Sequence, residues 1–162
     1  MRSRRASAAR IRSARCRCSG LHFAGFLPHL RDLAIAYALS FFIDWNREHE
    51  GRSAGLRTFP LVAVASCGFV LAAHAAFGHS PDALARIIQG LITGIGFIGG
   101  GAILKQGEIV HGTATAASIW ATGAIGAAVG LGSYDIALLI SVATFLTLLL
   151  LTRLEQRQQR QK

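Results

Sequence analysis

The sequence predicts an all-α fold, a polytopic transmembrane helix bundle of about five membrane-spanning helices with small-residue packing faces. Three observations predict it. Hydrophobic residues make up 52% of the 162 and charged residues only 15%. The charges crowd into the two ends and one internal knot instead of spreading along amphipathic faces, which is not the pattern of a soluble domain. Between them lie uncharged runs near the roughly 20 residues that a helix needs to cross a hydrocarbon core about 30 Å thick. Within hydrocarbon each run must be helical, because no water is present to satisfy free backbone groups.

The chain opens with a basic leader, residues 1–27, whose Arg/Ser/Ala composition lacks a signal-peptide apolar core. It is expected to be disordered or an artefactual extension. The first apolar run, about Asp32 to Ile43, is the shortest and reaches membrane length only if it extends back through Phe26 and Leu27. The second, Phe59 to Phe77, carries Pro60 in a first-turn position where a missing N–H is harmless. The third spans about Ile87 to Leu104, the fourth about Thr113 to Leu131 and the fifth about Ile136 to Thr152. The expected division is thus a leader over 1–27, a transmembrane domain over 28–152 and a short basic cytoplasmic tail over 153–162.

Orientation follows from the excess of Lys and Arg in cytoplasmic loops. With five crossings, Arg47, Arg52 and Arg57 of the knot, Lys105, and Arg153, Arg157, Arg160 and Lys162 of the tail share one side. The other side holds Arg31 and Arg86, apart from the leader. The knot and the C-terminus are therefore expected in the cytoplasm. Most of the net charge of +9 comes from the leader, so it does not point to nucleic acid. Cys16 and Cys18 have no partner at zinc spacing, and Cys67 sits in an apolar run as a small hydrophobe. No cofactor is implied, and any metal is unknown.

Glycine marks the third and fourth runs. Gly94-Ile95-Gly96-Phe97-Ile98-Gly99 spells a dinucleotide fingerprint, but it lacks the preceding strand and the acid about 20 positions on, and it lies inside a membrane-length run. Helix packing explains it better. Gly90/Gly94 and Gly96/Gly100 are spaced to open a helix face to a neighbouring backbone, as are Gly123 and Gly126/Gly130. Gly99-Gly100-Gly101 also allows an unwound stretch that could offer carbonyls or amides to an ion. Gln89 and Thr93 lie one turn apart on the third run, and Thr113, Thr115 and Ser118 open the fourth. Such polar groups in hydrocarbon either mark a path or bond a nearby backbone.

The knot, residues 44–58, is the densest charged stretch between apolar runs. Continued as helix, Asp44, Arg47 and Glu48 share a face at i, i+3 and i+4, and Glu48/Arg52 repeats the ion-pair spacing. Such a cluster can bind a cation through carboxylates, bind an anion through arginines, or lock two helices together. Gly55-Leu56-Arg57-Thr58 reads as a tight turn that sets Arg57 and Thr58 at the positive end of the second helix.

Three blocks together carry a resemblance. Arg47-Glu48 with Gly51 to Thr58, then Gly94 to Leu104, then Gly112 to Trp120, resemble in order and spacing the MgtC/SapB family of bacterial inner-membrane proteins. The resemblance covers about residues 30–155. It implies a small non-enzymatic membrane protein, regulatory in role and linked to magnesium homeostasis, low-magnesium growth, virulence and inhibition of the proton-translocating ATP synthase. The family usually has Gly at the place of Asp44 and an acid at that of Asn46, so the charged site of this chain differs from the family pattern.

The residues expected to matter are therefore Asp44, Asn46, Arg47, Glu48, Arg52, Arg57 and Thr58 in the knot. Within the membrane they are Gln89, Thr93, Gly94, Gly96, Gly99, Gly100, Thr113, Thr115 and Trp120. The expected partners are the lipid bilayer, a second copy in a homodimer, and another membrane complex such as ATP synthase. The alternative is a transporter or channel for Mg²⁺ or another small cation. An enzyme is disfavoured, since no nucleophile, base or metal-ligand constellation occurs at plausible spacing.

Overall fold

A computed structural model describes residues 23–48, 57–78, 80–106 and 109–159, with side chains described over 26–43, 57–78, 80–105 and 110–150. The fold is an all-α membrane helix bundle. Its elements are α1 (Phe23–Glu48), α2 (Thr58–Phe77), α3 (Pro81–Gly101), a small hairpin of β1 (Leu104–Gln106) and β2 (Ile109–His111), α4 (Thr113–Gly130) and α5 (Tyr134–Gln159). By length and apolarity α1 (Phe26–Ile43), α2 and α3 can each cross a membrane, and α5 has an apolar helical stretch over Tyr134–Leu150.

Local chemistry sets these boundaries. α1 begins well before the expected Asp32, because the apolar residues around Pro28 continue the helix and Pro28 falls in its early turns. α2 ends where the Gly78 N–H reaches the His74 carbonyl at 2.9 Å with φ of 65°. α3 starts from extended Ser80, with Pro81 at its first position and Asp82 in its first turn, where an acid suits the helix dipole.

The third run was expected to stay helical to Leu104, but α3 stops at Gly101. Ala102 N–H bonds Gly99 O at 3.1 Å and Ile103 N–H bonds Gly100 O at 3.2 Å, so the triple glycine forms a tightened last turn and not an unwound stretch. Leu104 then enters an antiparallel hairpin with Leu104 opposite His111, Lys105 opposite Val110 and Gln106 opposite Ile109. Gly112, at φ of 90°, turns the chain into α4, and a side chain there would overlap the Ala102 carbonyl oxygen. α4 closes on a Schellman motif: Ser133 N–H to Ala128 O and Gly132 N–H to Val129 O, both 2.9 Å, with Gly132 left-handed.

The helices alternate in direction. Gly99 meets Ala116 and Gly123 meets Ile95, so α3 and α4 run antiparallel, whereas Gly126 against Ala63 and Gly130 against Val70 make α2 and α4 parallel. Asp32 with Tyr134 and Leu39 with Ser141 make α1 and α5 parallel. One end of the bundle therefore gathers the C-terminus of α1, the N-terminus of α2 and the β-hairpin. The other end gathers the start of α1, the Gly78 end of α2, the start of α3 and the turn at 131–133.

α4 is the hub and packs against all four other helices. Its buried residues include Thr115, Ser118, Ile119, Thr122, Ile125 and Val129. Three glycines permit the closeness. A Cβ at Gly126 would overlap the Ala63 carbonyl oxygen, one at Gly123 would overlap Ile95 Cδ1, and one at Gly130 would stand 2.8 Å from Val70 Cβ. The main core cluster joins Ala36, Ile43, Ala63, Cys67, Ile125, Val129 and Ala137, and a smaller one joins Phe59, Ile95 and Ile119. α3 is peripheral, with only Ile95 and Gly99 buried. Among the described residues the glycine pairs on α3 meet no neighbour: a Cβ at Gly90, Gly94, Gly96 or Gly100 would find nothing within 4 Å. α3 touches α4 along the Ile95/Gly99 face, which turns its other glycines outward.

Candidate functional site

At the hairpin end, the backbone of Asp44, Asn46, Arg47 and Glu48 forms the last turns of α1. Their side chains, and Arg52 entirely, lie outside the described residues. Arg57 is exposed at the N-cap of α2 in an α conformation with no side-chain cap, and Thr58 is half-buried as the first helical residue. Thr113 opens α4 at the same end and is exposed, while Thr115, two residues on, is buried. The N-termini of α2 and α4 thus face the same side as the knot's backbone, and their dipoles favour an anionic group there.

The polar residues expected along the membrane interior are spread over different surfaces. Gln89 and Thr93 are exposed on α3, and the Thr93 hydroxyl donates to the Gln89 carbonyl at 2.9 Å. Gly94 lies in a groove between α2 and α3, while Gly96 and Gly100 are open on the outer surface of α3. Trp120 is exposed and lines a second groove, shared by α3, α4 and α5. Gly99 alone of the third-run glycines is buried, against Ala116 of α4. Inside the bundle the hydroxyls turn back on helix carbonyls: Ser118 to Ala114 at 2.7 Å, Thr122 to Ser118 at 2.8 Å and Ser40 to Ala36 at 2.9 Å. Ser141 instead crosses from α5 to the Leu39 carbonyl of α1 at 2.9 Å.

The strongest polar cluster among the described residues was missed by sequence reasoning. Asp32 is only 7% exposed, and its Oδ1 accepts from Arg31 Nε at 3.0 Å, Arg31 Nη2 at 2.9 Å and Tyr134 Oη at 2.8 Å. The Tyr134 hydroxyl also accepts from Arg31 Nη2 at 2.8 Å, and the guanidinium sits 5.6 Å from the centre of the Tyr134 ring. The side chain of Arg31 is 61% exposed, and its guanidinium bonds the buried acid. A buried carboxylate in a membrane segment is costly unless paired, and here pairing also joins the starts of α1 and α5. Asp32 reads as the edge of an apolar run only until α1 is seen to extend back to Phe23. The apolar Phe26, Leu27 and Leu30 before it were the available signal.

Among the described residues no three His, Cys, Asp or Glu side chains group as a metal cluster. The clamp at Asp32 has its inner oxygen filled by cationic and hydroxyl donors, which makes it a helix fastener. Cations would have to compete with Arg31 for that oxygen.

Comparison with known proteins decides the family. Residues 33–157 match the MgtC family. The chain belongs to the MgtC family. Protein SrpB of Synechococcus elongatus is 39% identical over 138 residues, covering 78% of this chain and 74% of SrpB. Protein MgtC of Salmonella typhimurium is 36% identical over 130 residues, covering 80% of this chain and 55% of MgtC. A protein of Escherichia coli named putative magnesium transporter YhiD is 38% identical over 112 residues, covering 65% of this chain and 52% of YhiD. The chain thus spans about half the length of these last two relatives. No solved structure matches it. The MgtC-family match takes in α1 from Leu33 onward, all of α2, α3 and α4, and α5 as far as Arg157, so the membrane bundle is the part that this chain shares with its relatives.

Proposed function

We propose that this MgtC-family chain is a non-enzymatic regulatory membrane protein of magnesium homeostasis. It acts by docking onto another membrane complex, such as ATP synthase, with the knot as its cytoplasmic site. In this reading it lies in the bacterial inner membrane with five crossings. The hairpin end and the C-terminus face the cytoplasm, in keeping with Arg47, Arg52, Arg57 and Lys105 on that side. Residues 28–152 form the membrane domain, with the basic leader and tail outside it.

The observation that carries a regulatory over a transporting role is the placement of the polar residues of α3. Gln89 and Thr93 point away from the hub helix α4, and the interior between α2 and α4 is closed by glycine against backbone. A helix surface open at Gly96 and Gly100 suits close approach by another helix. Magnesium enters through the relatives, one of which is named a putative magnesium transporter.

That name is also what favours the second reading, a small-cation transporter. The test is flux. Purified protein in liposomes loaded with a Mg²⁺-sensitive dye is expected to admit Mg²⁺ no faster than empty vesicles. Uptake well above that background, and lost on Asp44→Asn with Glu48→Gln, would replace regulation by transport.

A further inference from the structure

α2 and α3 diverge on the side away from α4 and leave an open groove of about 600 Å³. Leu61 and Phe69 of α2 form one wall, Ile98 of α3 closes the hairpin-end portion, and Gly90 and Gly94 make the floor. The polar groups at its lining are Ser66 and Arg86. Among the described residues nothing fills the space over the floor, since a Cβ at either glycine would meet no atom within 4 Å. From Arg86 to Ile98 the groove follows α3 for about 18 Å at 1.5 Å per residue. One leaflet of a bilayer is about 15 Å deep, half of a core about 30 Å thick.

Arg86 stands at the end of this groove nearest the start of α3. It is exposed, and among the described residues no carboxylate lies within 4.0 Å of it, although Asp82 is one turn away on the same helix. An arginine within an apolar helix extends its head to the interface, where phosphates are. A cation at the mouth and an apolar trough of leaflet depth together fit a single amphiphile.

We propose that the α2–α3 groove binds an anionic phospholipid, with an acyl chain lying over Gly90 and Gly94 and the phosphate held by Arg86. The lipid fills the trough that α3 leaves by burying its Ile95/Gly99 face against α4. The charge at Arg86 sets the preference for a headgroup with net negative charge. An interfacial Lys or Arg adds about 1 kcal/mol for anionic lipid, which is about fivefold in affinity.

The test is native mass spectrometry of the full chain in mild detergent, titrated with phosphatidylglycerol or with phosphatidylcholine. Wild type is expected to retain phosphatidylglycerol about fivefold better. Arg86→Gln should abolish that preference and Arg86→Lys should keep most of it. Gly94→Phe, whose Cβ has open space and whose ring would lie in the groove, should reduce retention of both lipids by filling the trough. Circular dichroism and melting of each variant distinguish loss of lipid from loss of fold, and Arg86→Lys against Arg86→Gln decides the matter if Gly94→Phe does not fold. Equal retention of the two lipids by wild type, or an unchanged preference in Arg86→Gln, overturns the proposal. So does a Gly94→Phe protein that changes from dimer to monomer while retaining lipid normally, since the groove would then hold a second copy.

Discussion

The Arg31–Asp32–Tyr134 clamp predicts an asymmetry between its two charged partners. Asp32 is buried at 7% exposure, whereas the side chain of Arg31 is 61% exposed. Removing the acid, as in Asp32→Leu, strands a cation that can turn to water or headgroups. The loss is then the net worth of the hydrogen bonds to a charged group, partly regained, or about 1 kcal/mol. Removing the base, as in Arg31→Met, leaves the carboxylate buried with Tyr134 as its remaining donor in the cluster. Leaving a buried acceptor short of a donor costs about 1–3 kcal/mol, and the Tyr134 bond at 2.8 Å keeps one donor on Asp32, so the expectation is about 2 kcal/mol. The double variant, Arg31→Met with Asp32→Leu, should fall back to about 1 kcal/mol because no charge is left behind. The assay is reversible unfolding from dodecyl maltoside into sodium dodecyl sulfate, followed by circular dichroism. If Asp32→Leu destabilises as much as Arg31→Met, or if the double variant is no better than Arg31→Met alone, the clamp does not work as a buried acid covered by an exposed base.

Two further predictions concern packing and sidedness. Gly126→Ala should destabilise by about 2 kcal/mol or more, since its methyl would overlap the Ala63 carbonyl and force α2 from α4, while Gly96→Ala, open on the outer surface, should be neutral or gain up to about 1 kcal/mol in the same assay. With Cys16, Cys18 and Cys67 replaced, Ser80→Cys in intact cells should react with an impermeant maleimide while Lys105→Cys stays protected; the reverse pattern would invert the topology.

The helices were legible in the sequence because hydrocarbon leaves little choice: runs such as Phe59 to Phe77 and Thr113 to Leu131 have no other way to satisfy their backbones. The glycine spacing on α4 was equally legible, and Gly123, Gly126 and Gly130 do meet a neighbouring helix. The same spacing on α3 meets no described helix of this chain, because periodicity says that a face is smooth and not which partner covers it. The hairpin at Leu104 to His111 escaped notice because three-residue strands give no periodic signal beside a long apolar run. Asp32 escaped for a different reason. A charge next to an apolar run marks the boundary of a span only if nothing apolar precedes it, and the partner that makes its burial tolerable, Tyr134, is far away in sequence. Of the expected site, Arg57, Thr58 and Thr113 do share one end of the bundle, while Gln89, Thr93 and Trp120 lie on outer surfaces of α3 and α4. Hydropathy locates a polar residue along a helix axis but gives no azimuth.

The central position of α4 has a consequence for how the protein is made. α4 is an 18-residue helix with threonines, serine and glycines in its sequence, and ten of its residues are buried. In the finished bundle the other helices cover it. During synthesis its glycine faces meet lipid until those helices close on them. α2, already inserted and running parallel to it, offers the Ala63 carbonyl face into which Gly126 fits. The helix that holds the others together is thus a client of its predecessors, and biogenesis of this fold depends on early helices waiting, side by side, for the fourth.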